Sequence, residues 1–143
     1  MNKLVIAFSI LCVTAQVLAA ENFQIRILNG KSGKPVVNEH VNILSVPPSG
    51  DPMQFRVAAE FTTNDQGMIN VQSDTAKTFI IAVDWHRECA KTQINDRTFS
   101  TDEILLKGIV SQNTCNAKVT RTLVPGTLIL FVRDETFFEK MAH

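Results

Sequence analysis

Hydrophobic and polar positions alternate along most of the chain after residue 20. Phe23, Ile25 and Ile27 are separated by Gln24 and Arg26, the two-residue period of a strand with one face buried and the other wet. Asn29-Gly30-Lys31-Ser32-Gly33-Lys34-Pro35 then makes a turn, because two glycines and a proline end any regular element. A second strand is predicted from Val36 to about Val46, with Val41 and Ile43 on one face and His40 and Asn42 on the other, up to the break at Pro47-Pro48-Ser49-Gly50-Asp51-Pro52. Phe55, Val57, Ala59 and Phe61 alternate with Arg56, Ala58, Glu60 and Thr62 in a third strand. Asn64-Asp65-Gln66-Gly67 is read as the turn of a hairpin into Met68 to Val71. Phe79 to Val83 is a continuous apolar run of strand length, predicted to lie centrally and to be buried on both faces.

The alternation stops after Asp84-Trp85-His86 and resumes near Ala117. Within the gap, Ser100-Thr101-Asp102-Glu103 has the form of a capping box, Phe99 and Ile104 that of a hydrophobic staple, and Gly108 that of a stop signal, so one short helix is predicted over about Thr101 to Lys107. Two strands are predicted beyond it, about Ala117 to Leu123 and Thr127 to Arg133, joined by Pro125-Gly126. The second carries Leu128 to Val132, apolar on both faces, and belongs inside a sheet, paired on both sides. Thr136 to Met141 can form one helical turn, with Phe137 or Phe138 expected to cover an open end of the core. The pattern therefore predicts an all-β chain: a single antiparallel β-sandwich of about seven strands, with one short helix in an excursion from the sheets.

The first 20 residues do not follow this pattern. Lys3, the apolar stretch Leu4 to Val13 and the small residues around Ala19-Ala20 have the three parts of a secretory signal peptide, and the stretch is shorter than the roughly 18 to 20 residues a membrane span needs. Cleavage would leave a domain over 21–143, in the periplasm or outside the cell, with no transmembrane anchor. It would also remove Cys12, so that Cys89 and Cys115 remain as a pair in an oxidising compartment, where a disulfide clasping both ends of the excursion is the expected state. Composition adds exclusions. With 45% hydrophobic and 20% charged residues the chain is no disordered tail, and 14 basic against 14 acidic residues leave no field to collect nucleic acid.

The turn residues carry a resemblance. Ile25-Arg26-Ile27-Leu28-Asn29-Gly30 with Gly33-Lys34-Pro35-Val36, followed by Thr63-Asn64-Asp65-Gln66-Gly67, resembles the carboxypeptidase regulatory-like, or prealbumin-like, β-sandwich domains. Trp85, Cys89, Ile104-Leu105, Gly108-Ile109-Val110, Asn113-x-Cys115, Pro125-Gly126, Leu130-Phe131-Val132-Arg133 and Phe137-Phe138-Glu139-Lys140 resemble small secreted bacterial proteins of that fold. The resemblance implies a fold and a location, and no reaction. Intradiol dioxygenases on related folds bind iron with two Tyr and two His, and this chain has no Tyr. Transthyretin-type hydrolases end in Tyr-Arg-Gly-Ser, whereas this chain ends Glu-Lys-Met-Ala-His, and the His-x-x-Glu pair of zinc carboxypeptidases is missing.

No catalytic residue or cofactor is identified from the remaining chemistry. His40 and His86, with Glu39, Asp84 and Glu88 beside them, would make a metal carrier only if the fold brought them together, since none lies at a ligand spacing. Asp51, Asn64 and Asp65 read as turn residues rather than calcium ligands, and Ser100 as a cap rather than a nucleophile. Trp85 is expected to pack over the bridge or cap the sandwich, with ligand contact as the alternative. Trp85, His86, Phe137 and Phe138 are thus the candidate binding residues. The expected function is non-enzymatic binding or structural association with a protein or other envelope component; the alternatives are a small enzyme near Trp85 and His86, or the metal carrier.

Overall fold

The computed structural model describes residues 21–90 and 98–142, so the signal peptide expected over 1–20 lies outside the described residues. Within them the chain is all-β, with two sheets, one disulfide and two short α-helices. The first sheet has the order β4 (Met68–Gln72), β1 (Asn22–Asn29), β9 (Thr127–Asp134) and β6 (His86–Glu88), with β8 (Ile109–Val110) also paired to β9. The second has the order β3 (Arg56–Thr62), β2 (His40–Ser45), β5 (Thr78–Val83) and β7 (Phe99–Ser100).

Alternation builds a core common to both sheets. Phe23, Ile25 and Ile27 of β1 and Leu128, Leu130 and Val132 of β9 join Val41 and Ile43 of β2 and Phe79, Ile81 and Val83 of β5 in one buried cluster. The Phe23 and Phe79 rings stack across it, 5.8 Å between centroids. Each such side chain removed from water stabilises the fold by roughly 1.5 to 3 kcal/mol before entropy is counted. A second, smaller cluster lies on the other face of the first sheet, where Leu28, Ile129 and Phe131 pack with Cys89, against Val110, Cys115 and Val119. This is why β9 is apolar on both faces. As expected, it is paired on both sides: β1 along one edge, β8 and β6 in succession along the other.

Several expectations are corrected. The first sheet is mixed rather than antiparallel, because β1 and β8 both run parallel to β9. A parallel pairing needs a long connection, and the chain between β1 and β9 supplies it. The turn at Asn64–Gly67 forms, with the Gly67 N–H donating to Asn64 O at 2.9 Å, but its flanking strands do not make a hairpin. β3 pairs with β2 in the second sheet and β4 with β1 in the first. Gly67 passes so close to β1, at φ 70°, that a Cβ there would meet the Ile27 carbonyl oxygen at 2.6 Å. The second strand begins at His40 rather than Val36, after Asn38 takes a left-handed φ of 56°. β5 is central but buried on one face only; Ile80 and Ala82 on the other are half-buried.

The segment from Ala117 to Leu123 is not a strand. Side chains replace the ladder: the Asn113 amide donates to Gly30 O and Val119 O and accepts from Cys115 N, Asn116 donates to Lys31 O, and Arg121 donates to Gly33 O. These bonds hold residues 111–123 as a flap over the outer face of the first sheet. The Cys89–Cys115 disulfide, with Cα atoms 5.4 Å apart, is part of that packing. Gly30 lies directly beneath it, where a Cβ would come within 2.4 Å of Cys89 Sγ. Helix α1 spans Thr101–Lys107 as predicted, with the Ser100 hydroxyl accepting from Glu103 N and Gly108 N–H donating to Ile104 O. The Glu103 carboxylate pairs with Lys107 at 2.8 Å. The second helix, α2 (Phe137–Lys140), is where a complete capping box forms, between Thr136 and Glu139.

Candidate functional site at the Trp85 corner

The chain leaves the second sheet at Val83 and joins the first at His86, with only Asp84 and Trp85 between. So short a link forces a sharp corner. The Asp84 N–H donates to His40 O at 3.1 Å, and the Glu135 N–H donates to Trp85 O at 2.9 Å. Between these anchors Trp85 takes a φ of 59°, in the left-handed region that costs an L-residue about 1 to 2 kcal/mol. Its side chain projects outward, 61% exposed. Trp85 therefore neither packs over the bridge nor caps the core. The disulfide lies on the outer face of the first sheet, and the inner core is filled by phenylalanine and branched aliphatic residues from the strands.

Ionisable side chains surround the corner. His86 Nδ1 lies 2.8 Å from the Asp84 carbonyl oxygen, and Nε2 lies 3.2 Å from Asp134 Oδ1. His40 Nδ1 lies 3.2 Å from Asp84 Oδ2, and its Nε2 lies 4.0 Å from Glu60. Arg87 pairs at 2.9 Å with Glu135, whose side chain is buried. A cavity of about 440 Å³ opens beside these groups, lined by Trp85, His86, Arg87, Glu88 and Glu135 together with Ile80, Ala82 and Val132. Its size falls within the range of small-molecule and side-chain pockets.

The tail begins at the same place. His86 is opposite Asp134 in the β6–β9 register, and Phe137 follows two residues after the Glu135 that binds Trp85 O. Trp85 and His86 thus lie against the end of β9 from which the tail carrying Phe137 and Phe138 departs, and His40 reaches the corner through Asp84. Phe137 and Phe138 do not cover the core: they are 70% and 82% exposed and meet each other edge to face at 5.9 Å. Polar groups hold them out. The Arg133 guanidinium donates two bonds of 2.8 Å to Glu139, and the Thr136 N–H donates a third. Arg133 foremost, then Thr136, holds the Glu139 carboxyl well below the usual carboxylate range.

The other candidates take structural roles. Asp51 accepts from Met53 N, and Asn64 from Gln66 N and Met68 N, so both serve their turns. His40 and His86 each face an oxygen of Asp84 and a carboxylate of a neighbouring strand, and among the described residues no group of three His, Cys, Asp or Glu side chains is placed to hold a metal ion. Sequence reasoning missed Glu135 and the pairing of Asp134 with His86. The available signal is a carboxylate pair separated by Arg133 alone from an apolar run that has to be buried. No known protein-family model and no curated protein matches the chain.

Proposed function

We propose that this protein is a secreted or periplasmic β-sandwich module of the carboxypeptidase regulatory-like type, which acts by binding a protein or other envelope component through the Trp85 corner and the adjoining aromatic tail. One observation carries this reading: the sole tryptophan is held outward in a left-handed conformation at the rim of a 440 Å³ cavity. Strain of that kind persists only where surrounding structure imposes it, and it concentrates at functional positions. Two sheets that share one apolar core support the sandwich, and the disulfide supports an oxidising compartment. No helix among the described residues is long and apolar enough to cross a membrane.

A small enzyme is the second reading, favoured by His86 and Glu135 in the cavity wall. Against it, both His86 ring nitrogens already face oxygens and Glu135 is engaged by Arg87, so both side chains are already committed to partners within the protein. The test compares tagged wild-type and Trp85→Ala proteins recovered from their native envelope, with co-purifying material identified by mass spectrometry. A partner retained by the wild type and lost from an equally stable Trp85→Ala protein is the expected result. Identical recovery by both would remove the corner from the binding surface.

A further inference from the structure

We propose that the Trp85 corner holds its partner as an extended peptide, which joins the second sheet as a new strand along the open edge of β5. This mode of recognition rests on the reading of the corner as the binding surface. Backbone N–H and C=O groups of a strand point alternately to its two sides. The Asp84 N–H donates to His40 O at 3.1 Å and the Val46 N–H to Thr78 O at 2.9 Å, so the even-numbered residues of β5 direct their backbone groups at β2. The odd-numbered ones face away from it. Phe79 is met on that side by Phe99 of β7, and the Thr101 N–H continues the same row by donating to Lys77 O. Among the described residues no strand carries the row past Phe79, so Ile81 and Val83 present two N–H and two C=O groups without a ladder partner.

This edge lies in the wall of the 440 Å³ cavity, together with Trp85. It is recessed, with Ile81 and Val83 only 6% and 9% exposed. Recessed backbone groups call for partners of their own. A donor and an acceptor repeated two residues further on, about 6.8 Å along the strand, are matched by an extended backbone and not by a compact ligand. Nothing on β5 opposes pairing. Thr78–Val83 has no charged residue and no proline, whereas β3, at the other edge of the sheet, carries Arg56 and Glu60 and meets β2 across a register shift.

The ladder also sets the side chains of the guest. A guest residue opposite Ile81 or Val83 shares their inward face, towards Val132 of the first sheet, and has to be apolar. The next guest residue falls with Ala82 on the outer face, where polar groups are tolerated. The partner is therefore an extended segment with apolar residues at alternate positions. Trp85 follows the edge directly and stands exposed where the guest leaves the ladder.

Hydrogen exchange on the exported protein tests the edge without a ligand. The Ile81 and Val83 amides should be less protected than those of Ile80 and Ala82 by about tenfold or more. Equal protection would mean that residues of this chain already cover the edge, and protection that rises with protein concentration would assign it to a second copy; either overturns the proposal. A phage-displayed library of random linear peptides, selected on the wild-type protein, then supplies the probe. Enriched peptides should carry alternate apolar residues, protect the Ile81 and Val83 amides on binding, and be lost from Val83→Pro, which removes an N–H that the β2 ladder does not use. If Val83→Pro fails to fold, peptides methylated on alternate backbone nitrogens decide. One alternation should weaken binding by about tenfold or more and the other should not. No enrichment, binding that leaves both amides unprotected, or equal affinity of the two methylated forms overturns strand addition. The corner reading fails separately. Peptides that protect β5 and bind Trp85→Ala as tightly as wild type would keep the added strand and take Trp85 out of the surface.

Discussion

The flap over the first sheet and the Trp85 corner treat apolar residues in opposite ways. Under the flap, Ile129 and Phe131 are 5% and 1% exposed, covered by a segment with no helix or strand that is held by one disulfide and the Asn113 amide. At the corner, Trp85, Phe137 and Phe138 stand in solvent on backbone that hydrogen bonds and ion pairs hold in place. The two regions share β9, and Phe131 of the one lies within eight positions of Phe137 and Phe138 of the other. Apolar content is therefore no measure of burial; what matters is whether chain is committed to cover it. The flap makes that commitment, whereas the corner uses its polar bonds to keep aromatic surface uncovered. Exposed aromatic residues on constrained backbone are what an interaction site requires.

The largest expected effects fall under the flap. Phe131→Ala should lower stability by about 3 to 5 kcal/mol, read from the denaturant midpoint, because it empties a filled position. Phe138→Ala should change it by less than about 0.5 kcal/mol, as exposed substitutions do. Equal losses from the two would erase the contrast. Removing the bridge comes next. Reduction should cost about 3 kcal/mol in the chain-entropy account of a 26-residue separation. Hydrogen exchange should then show the Ser111 and Thr114 amides, bonded to Ile129 O and Cys89 O, opening ahead of the Ile27 amide. Simultaneous opening would mean that the flap is no separate unit.

The corner should respond in the opposite direction. Trp85→Ala should leave the midpoint within about 0.5 kcal/mol of wild type. Trp85→Gly should raise it by up to about 1 kcal/mol, since glycine relieves the left-handed strain. A loss of several kcal/mol in either variant would show that Trp85 is core, and the comparison would collapse.

Legibility in the sequence follows the same division. Strands β1, β4, β5 and β9, helix α1 and the disulfide were readable because each depends on local period, on capping residues or on having a single available partner. The assignment of strands to sheets was not. Nothing in Met68–Gln72 distinguishes a hairpin with β3 from pairing with β1, since both present the same alternation. The irregular flap hid for a related reason. Val119 and Leu123 look like strand positions, but their segment is fixed by amide and guanidinium bonds to the turn after β1, which no periodicity records. Trp85, Phe137 and Phe138 were named as candidates yet expected indoors, because hydrophobicity argues for burial and only the corner's bonds argue against it.

The smallest effect concerns the tail and sharpens the corner's side of the contrast. Arg133 holds the Glu139 carboxyl well below its usual range, so the docked tail keeps its charge while an undocked Glu139 would take up a proton first. The contribution to docking is then complete above the ordinary carboxylate value, about 4.3, and is lost as the pH falls from there through the lower folded value. Both side chains are one-third exposed, so salt should weaken the pair. Protection of the Glu139 and Lys140 amides, which bond to the Thr136 hydroxyl and carbonyl, should fall relative to their intrinsic exchange rates on acidification and in high salt while that of β9 is unaffected. Glu139→Gln should remove the acid dependence. If protection of α2 rose in acid, or kept its pH dependence in Glu139→Gln, the aromatic pair would not be held out by this clamp, and the tail would be a loose extension.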